Sequence, residues 1–160
     1  MAKPKRKERR VINPLYLVAG VQKIATADAM LFCEKFDDFL FQIERGHGEA
    51  EAIRGMTLFI AALYDASVHY KASNVKALID KTGDLWIRAA ERCTAKGMTD
   101  RIAINAEEMD TLRTLHEAMR VFLPEVQVGP WKCFMESAQR RWDKFAGQSQ
   151  AFKNYVEHAA

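Results

Sequence analysis

Cysteine is scarce in this chain, and what there is has no pattern. Cys33, Cys93 and Cys133 stand far apart with no CxxC among them. That excludes a disulfide framework and points to reduced thiols in a cytoplasmic protein. Long apolar runs are missing as well. None approaches the ~20 residues a membrane helix requires, so no membrane partner is expected. The sequence also lacks a glycine-rich phosphate loop, a GxSxG elbow and any zinc-ligand spacing. With every catalytic template unmatched, the expectation is a non-enzyme that uses no cofactor and no metal. Repeats and low-complexity tracts are absent too.

What is present is apolar content at helical spacing. Hydrophobic residues make up 49% of 160, a length that suits one domain burying roughly two-thirds of its unfolded surface. The net charge of +3 is unevenly placed. Residues 1–10, MAKPKRKERR, carry Lys3, Lys5, Arg6, Lys7, Arg9 and Arg10 against Glu8 alone, a local charge of +5. The other 150 residues hold 18 basic and 20 acidic side chains, a balance of −2. A body that bound nucleic acid over a broad surface would itself be basic, so the basic character belongs to the arm.

Three readings of that arm stand side by side: a phosphate-contacting extension, a solubilising tail, and the n-region of an export signal. The export reading has Leu15-Tyr16-Leu17-Val18-Ala19-Gly20-Val21 as its apolar core and Ala25-Thr26-Ala27 as a small-x-small site. Against it, Asn13 and Pro14 interrupt the apolar side, and Gln22 and Lys23 precede the supposed cut. The cytoplasm is therefore the expected location. In a eukaryote KPKRKERR would also pass for a nuclear-import patch.

The rest predicts an all-α, single-domain bundle of about five helices. Residues 1–25 form a flexible basic arm and extended lead-in, 26–146 the bundle, and 147–160 a tail or short helix. A first helix over 26–45 has Thr26 as N-cap, Gly46 at its C-terminus and a stripe of Phe32, Phe36, Phe39, Leu40 and Ile43. A second, over 49–70, repeats Ile53, Met56, Ile60, Leu63, Ser67 and Tyr70 in a heptad-like way, and the short connection makes these two antiparallel neighbours. A third, over 74–95, carries Leu78, Ile79, Leu85, Trp86, Ala89 and Cys93 inward, with Gly83 as a candidate kink or break. Residues 98–104 are the one stretch with strand character, too short to build a sheet. Asn105 and Glu108 form a capping box for a fourth helix, buried through Met109, Leu112, Leu115, Met119 and Phe122 and stopped by Pro124. A fifth begins near Gly129-Pro130 with Phe134, Ala138, Trp142 and Phe145 inward, and ends at Gly147.

Few constellations invite chemistry. Glu44 and His47 have the ExxH spacing of di-iron helices, but only once and across a glycine. Asp65 and His69, four apart, can meet on one helix face without any nucleophile nearby. His116 and His158 are isolated. The cysteines lie among apolar neighbours, where a thiol serves as a small hydrophobe. A second basic cluster, Arg140, Arg141 and Lys144, flanks Trp142 and reads first as the solvated side of a core helix.

Three segments together carry a likeness: the opening KPKRKERR with its Val-Ile-Asn-Pro continuation, then IERGHGEAEAIRGMTLFIAAL, then INAEEMDTLRTLHEAM. In these the chain resembles a group of small, uncharacterised proteobacterial proteins encoded in prophages and mobile elements, over about residues 3–142. The resemblance implies a bacterial or phage setting and supplies no activity or site residues. The function expected is a non-catalytic regulatory protein whose arm contacts nucleic-acid phosphates through Lys3, Lys5, Arg6, Lys7, Arg9 and Arg10, with Arg140, Arg141 and Lys144 as a secondary patch. The rival is a protein-interaction module, an inhibitor or adaptor that binds an unidentified protein through the bundle. Oligomeric state stays open.

Overall fold

The computed structural model describes residues 20–46, 50–98 and 102–148, with the side chains of 50, 51 and 145–148 left out. Within them the fold is all-α: α1 (Thr26–Glu44), α2 (Ala50–His69), α3 (Ser73–Ala95), α4 (Ala106–Phe122), a 3-10 turn (Leu123–Glu125) and α5 (Val128–Gln148). No strand occurs among the described residues, and 102–104 are irregular. The sole sheet-like feature among them is an isolated antiparallel bridge between Lys23 and Gln127.

The helix ends follow local chemistry. Asn105 accepts from the Glu108 N–H at 2.9 Å, and Glu108 Oε2 accepts from the Asn105 N–H at 2.9 Å, the reciprocal capping box its spacing predicts. Gly46 (φ 77°) and Gly97 (φ 72°) take the left-handed conformation that closes α1 and α3. At the end of α2 the same role falls to Lys71 (φ 56°), with Ala72 N–H donating to Ser67 O at 2.8 Å and Lys71 N–H to Val68 O at 3.2 Å.

Three expectations change. Thr26 is the first helical residue rather than the cap, which is Ala25, with no side-chain capping bond. The reason is tertiary: Ile24 is buried and its N–H donates to Val126 O at 2.8 Å, so the extended backbone must end there and the helix starts at once. Gly83 neither kinks nor breaks α3, which is continuous through it. The fifth helix starts at Val128, placing Pro130 in its first turn, and passes Gly147 to reach Gln148.

The predicted stripes form one core, except that Trp142 is only half-buried and the side chain of Phe145 lies outside those described. Phe36, Leu63, Leu85, Leu112, Leu115, Met119 and Leu123 are fully buried within it. Two hydroxyls inside are satisfied along their own helices, Ser67 Oγ by Tyr64 O at 2.7 Å and Thr82 Oγ1 by Leu78 O at 2.9 Å. Partner choice departs from chain order. α2 packs most extensively on α5, α3 on α4, and α1 on α4 rather than on its sequence neighbour α2. Phe36 stacks on His116 of α4, ring centroids 5.9 Å apart, and Phe39 meets Trp86 of α3 at 6.0 Å. Arg92 of α3 joins Glu108 of α4 through two hydrogen bonds of 2.8 and 2.6 Å and also donates to Ala103 O at 2.9 Å.

Candidate nucleic-acid interface

The six basic residues of the arm, Lys3 to Arg10, lie outside the described residues; the place where the chain joins the bundle does not. Gln22 to Ile24 run extended beside Val126 to Val128, with Val128 N–H donating to Gln22 O at 2.8 Å. Lys23 pairs with Glu125 at the surface. Tyr70 Oη accepts from the Gln127 N–H at 2.9 Å, holding the partner segment in turn. Just before this pairing Gly20 lies against Gly129, where an added Cβ would meet Gly20 O at 2.7 Å. A side chain at 129 does not fit that approach. Gly20 is therefore held beside the start of α5.

The secondary patch is described. Arg140, Arg141 and Lys144 are all exposed on the second half of α5. Arg141 grips Asp65 of α2 through two hydrogen bonds, 3.1 and 2.7 Å long. A fork-shaped guanidinium held by a carboxylate has its charge locally balanced, so Arg140 and Lys144 carry most of the patch's free charge. Arg54 of α2 lies 6.0 Å from the Trp142 ring on the same side. Sequence spacing gave no sign of the Asp65–Arg141 pair, because the two are 76 positions apart.

The other constellations have ordinary occupations. Asp65 serves Arg141, while His69 packs against Tyr70 and Phe134 at 4.9 and 5.5 Å. His47 and His158 lie outside the described residues. His116 is largely buried, with Nε2 3.0 Å from the backbone oxygen of Cys33 rather than from its thiol. Burial pushes the Cys33 thiol up from its ordinary range, which disfavours the thiolate. Cys93 Sγ accepts from the Ala103 N–H at 3.2 Å, and Cys133 is exposed. Among the described residues no three of His, Cys, Asp or Glu cluster as metal ligands, and no helix is long and apolar enough to cross a membrane.

A feature the sequence did not announce is an open groove of about 480 Å³ between α1 and α2. It exists because α1 leans on α4 and touches α2 over only a short stretch. Phe32, Phe36 and Phe39 line one wall, Met56 and Phe59 the other, and Met135 of α5 lies at its base. Lys35, Asp38 and Gln42 form its rim, with Ala52 and Gly55 opposite. At one end Phe32, Phe59 and Trp131 pack mutually, their centroids 5.6–5.8 Å apart. With its geometry laid out, the chain matches no protein-family model, no curated protein and no solved structure.

Proposed function

We propose that this chain is a non-catalytic regulatory protein of the phage or mobile-element type, acting in the cytoplasm, whose basic arm contacts nucleic-acid phosphates. The observation that carries the reading is the segregation of charge: +5 within residues 1–10 against −2 over all the others. Lys3, Lys5, Lys7 would act as point charges and Arg6, Arg9, Arg10 as bidentate donors to phosphate oxygens. The balanced state of Arg141 supports the same choice, because it offsets one of the three charges of the secondary patch. Backbone contact of this kind positions a protein without reading bases, so binding depends little on sequence.

Electrophoretic mobility of the full chain with duplex DNA, single-stranded DNA and RNA tests this. Six engaged basic groups give a log–log salt slope of about −5 on duplex DNA. Replacing the six by glutamine should abolish the shift while circular dichroism and the melting temperature stay as they were. Absence of any shift at low salt would refute the proposal and leave the protein-interaction module. A shift that survives the replacement would move the site to Arg140, Arg141 and Lys144.

A further inference from the structure

We propose that the cleft between α2 and α3 binds a small aromatic acid, whose flat apolar body lies between the two helices and whose carboxylate is received by Arg141 of α5. The site is separate from the basic arm, and the inference does not depend on nucleic-acid binding.

The first argument is the cleft itself. It encloses about 330 Å³, a size found among small-ligand sites, and it has their mixture of apolar and aromatic walls with few polar groups. Ile60, Ala61 and Tyr64 reach it from α2, and Ile79, Gly83 and Trp86 from α3. Within each set the residues share one helix face. Ile60 and Ile79 are buried, while Tyr64 and Trp86 are half-buried and supply the aromatic walls. Trp86 packs against Phe39 with ring centroids 6.0 Å apart, which fixes that wall before any ligand arrives. Its indole Nε1 is buried without an acceptor, a cost that a ligand oxygen lodged against the indole would remove.

The second argument is Gly83. It stands in the middle of α3 and lines the cleft. Glycine inside a helix is unfavourable relative to alanine, and an added Cβ here would meet no atom within 4 Å. Packing among the described residues therefore does not require it. What the missing side chain leaves is room in the cleft.

The third argument is the polar group at the cleft's edge. Arg141 donates to Asp65 from Nη1 at 3.1 Å and from Nη2 at 2.7 Å, which holds its guanidinium beside the apolar walls. A guanidinium has several N–H donors, so others remain for a second carboxylate. Lys144 follows one turn later on the same face of α5, exposed and without an ion pair among the described residues. Asp65 offsets one of these two cations, and the other leaves the edge positive. An aromatic acid uses both features, whereas a neutral ring leaves the donors idle.

The test is titration of the full chain, without nucleic acid, with naphthoate and in parallel with the uncharged naphthylmethanol, followed by NMR of the isotope-labelled protein. Naphthoate should shift the Gly83 amide and the Trp86 indole N–H saturably. Arg141→Gln should weaken naphthoate about tenfold, as the loss of a charged hydrogen bond implies, and leave naphthylmethanol nearly unchanged. That variant gives up only a pair whose arginine is 54% exposed, so it should stay folded. Gly83→Leu fills the cleft and should abolish both interactions while circular dichroism keeps its helical signal. Absence of saturable shifts, or shifts centred away from α2 and α3, would overturn the proposal. So would naphthoate binding that Arg141→Gln leaves intact, or that survives in Gly83→Leu.

Discussion

Replacing Glu108 tests how α3 and α4 are joined. Its carboxylate is 8% exposed and does two tasks: it accepts the Asn105 N–H that begins α4 and receives both arms of the Arg92 guanidinium. Glu108→Ala removes a capping contact worth about 1 kcal/mol and charged hydrogen bonds worth about 1.5–3 kcal/mol. Breaking a fully buried pair costs more, but the Arg92 side chain is 34% exposed and can turn to water. The expected loss is about 2 kcal/mol, a large share of a typical domain's stability. Glu108→Gln keeps the shape and removes the charge, at about 1 kcal/mol. Its deficit depends on pH. The Arg92 guanidinium, aided by the Asn105 N–H, holds the Glu108 carboxyl below the usual carboxylate range against the opposing pull of burial. A carboxyl so depressed adds stability above its unfolded value, near 4.3, and that stability is lost as pH falls through the lower folded value. Urea unfolding at several pH values should show the full deficit at pH 7 and its decline only below about pH 4. A deficit under about 0.3 kcal/mol at pH 7, or one that persists unchanged at the acid end, would refute the reasoning.

Gly129→Ala should destabilise by about 1–3 kcal/mol, because its Cβ would stand 2.7 Å from Gly20 O and force the entry segment off α5. Gly83→Ala meets open space and should stabilise by about 0.5–1 kcal/mol; thermal unfolding compares the two. A thiol reagent should titrate Cys133 rapidly in the native protein and Cys33 and Cys93 only after unfolding, since both are buried; three fast thiols would contradict that placement. Asp65→Asn should cost under about 1 kcal/mol, because the Arg141 side chain it holds is more than half exposed. A larger loss in chemical denaturation would mean the pair carries more of the α2–α5 contact than its exposure suggests.

The sequence by itself determined the helices, since what makes them lies within a few residues. The 3–4 spacing of Phe36, Phe39, Leu40 and Ile43 sets a buried face without knowing what covers it. The Asn105–Glu108 box and the left-handed Gly46 and Gly97 act across one turn. Charge segregation, the whole basis for the arm, is likewise a property of order along the chain. Only the tertiary structure decided the partners. Apolar stripes are alike enough that any two helices can bury them, and the connection from α1 to α2 suggested a pairing that α4 largely takes. Arg92 with Glu108, Asp65 with Arg141, and Gly20 with Gly129 are meetings of residues 16, 76 and 109 positions apart, which no local pattern encodes. The bond from Ile24 to Val126 moved the start of α1 off Thr26's expected role, and the preference of α1 for α4 is a separate tertiary outcome. It created the α1–α2 groove directly, because a helix that leans one way leaves its other side open.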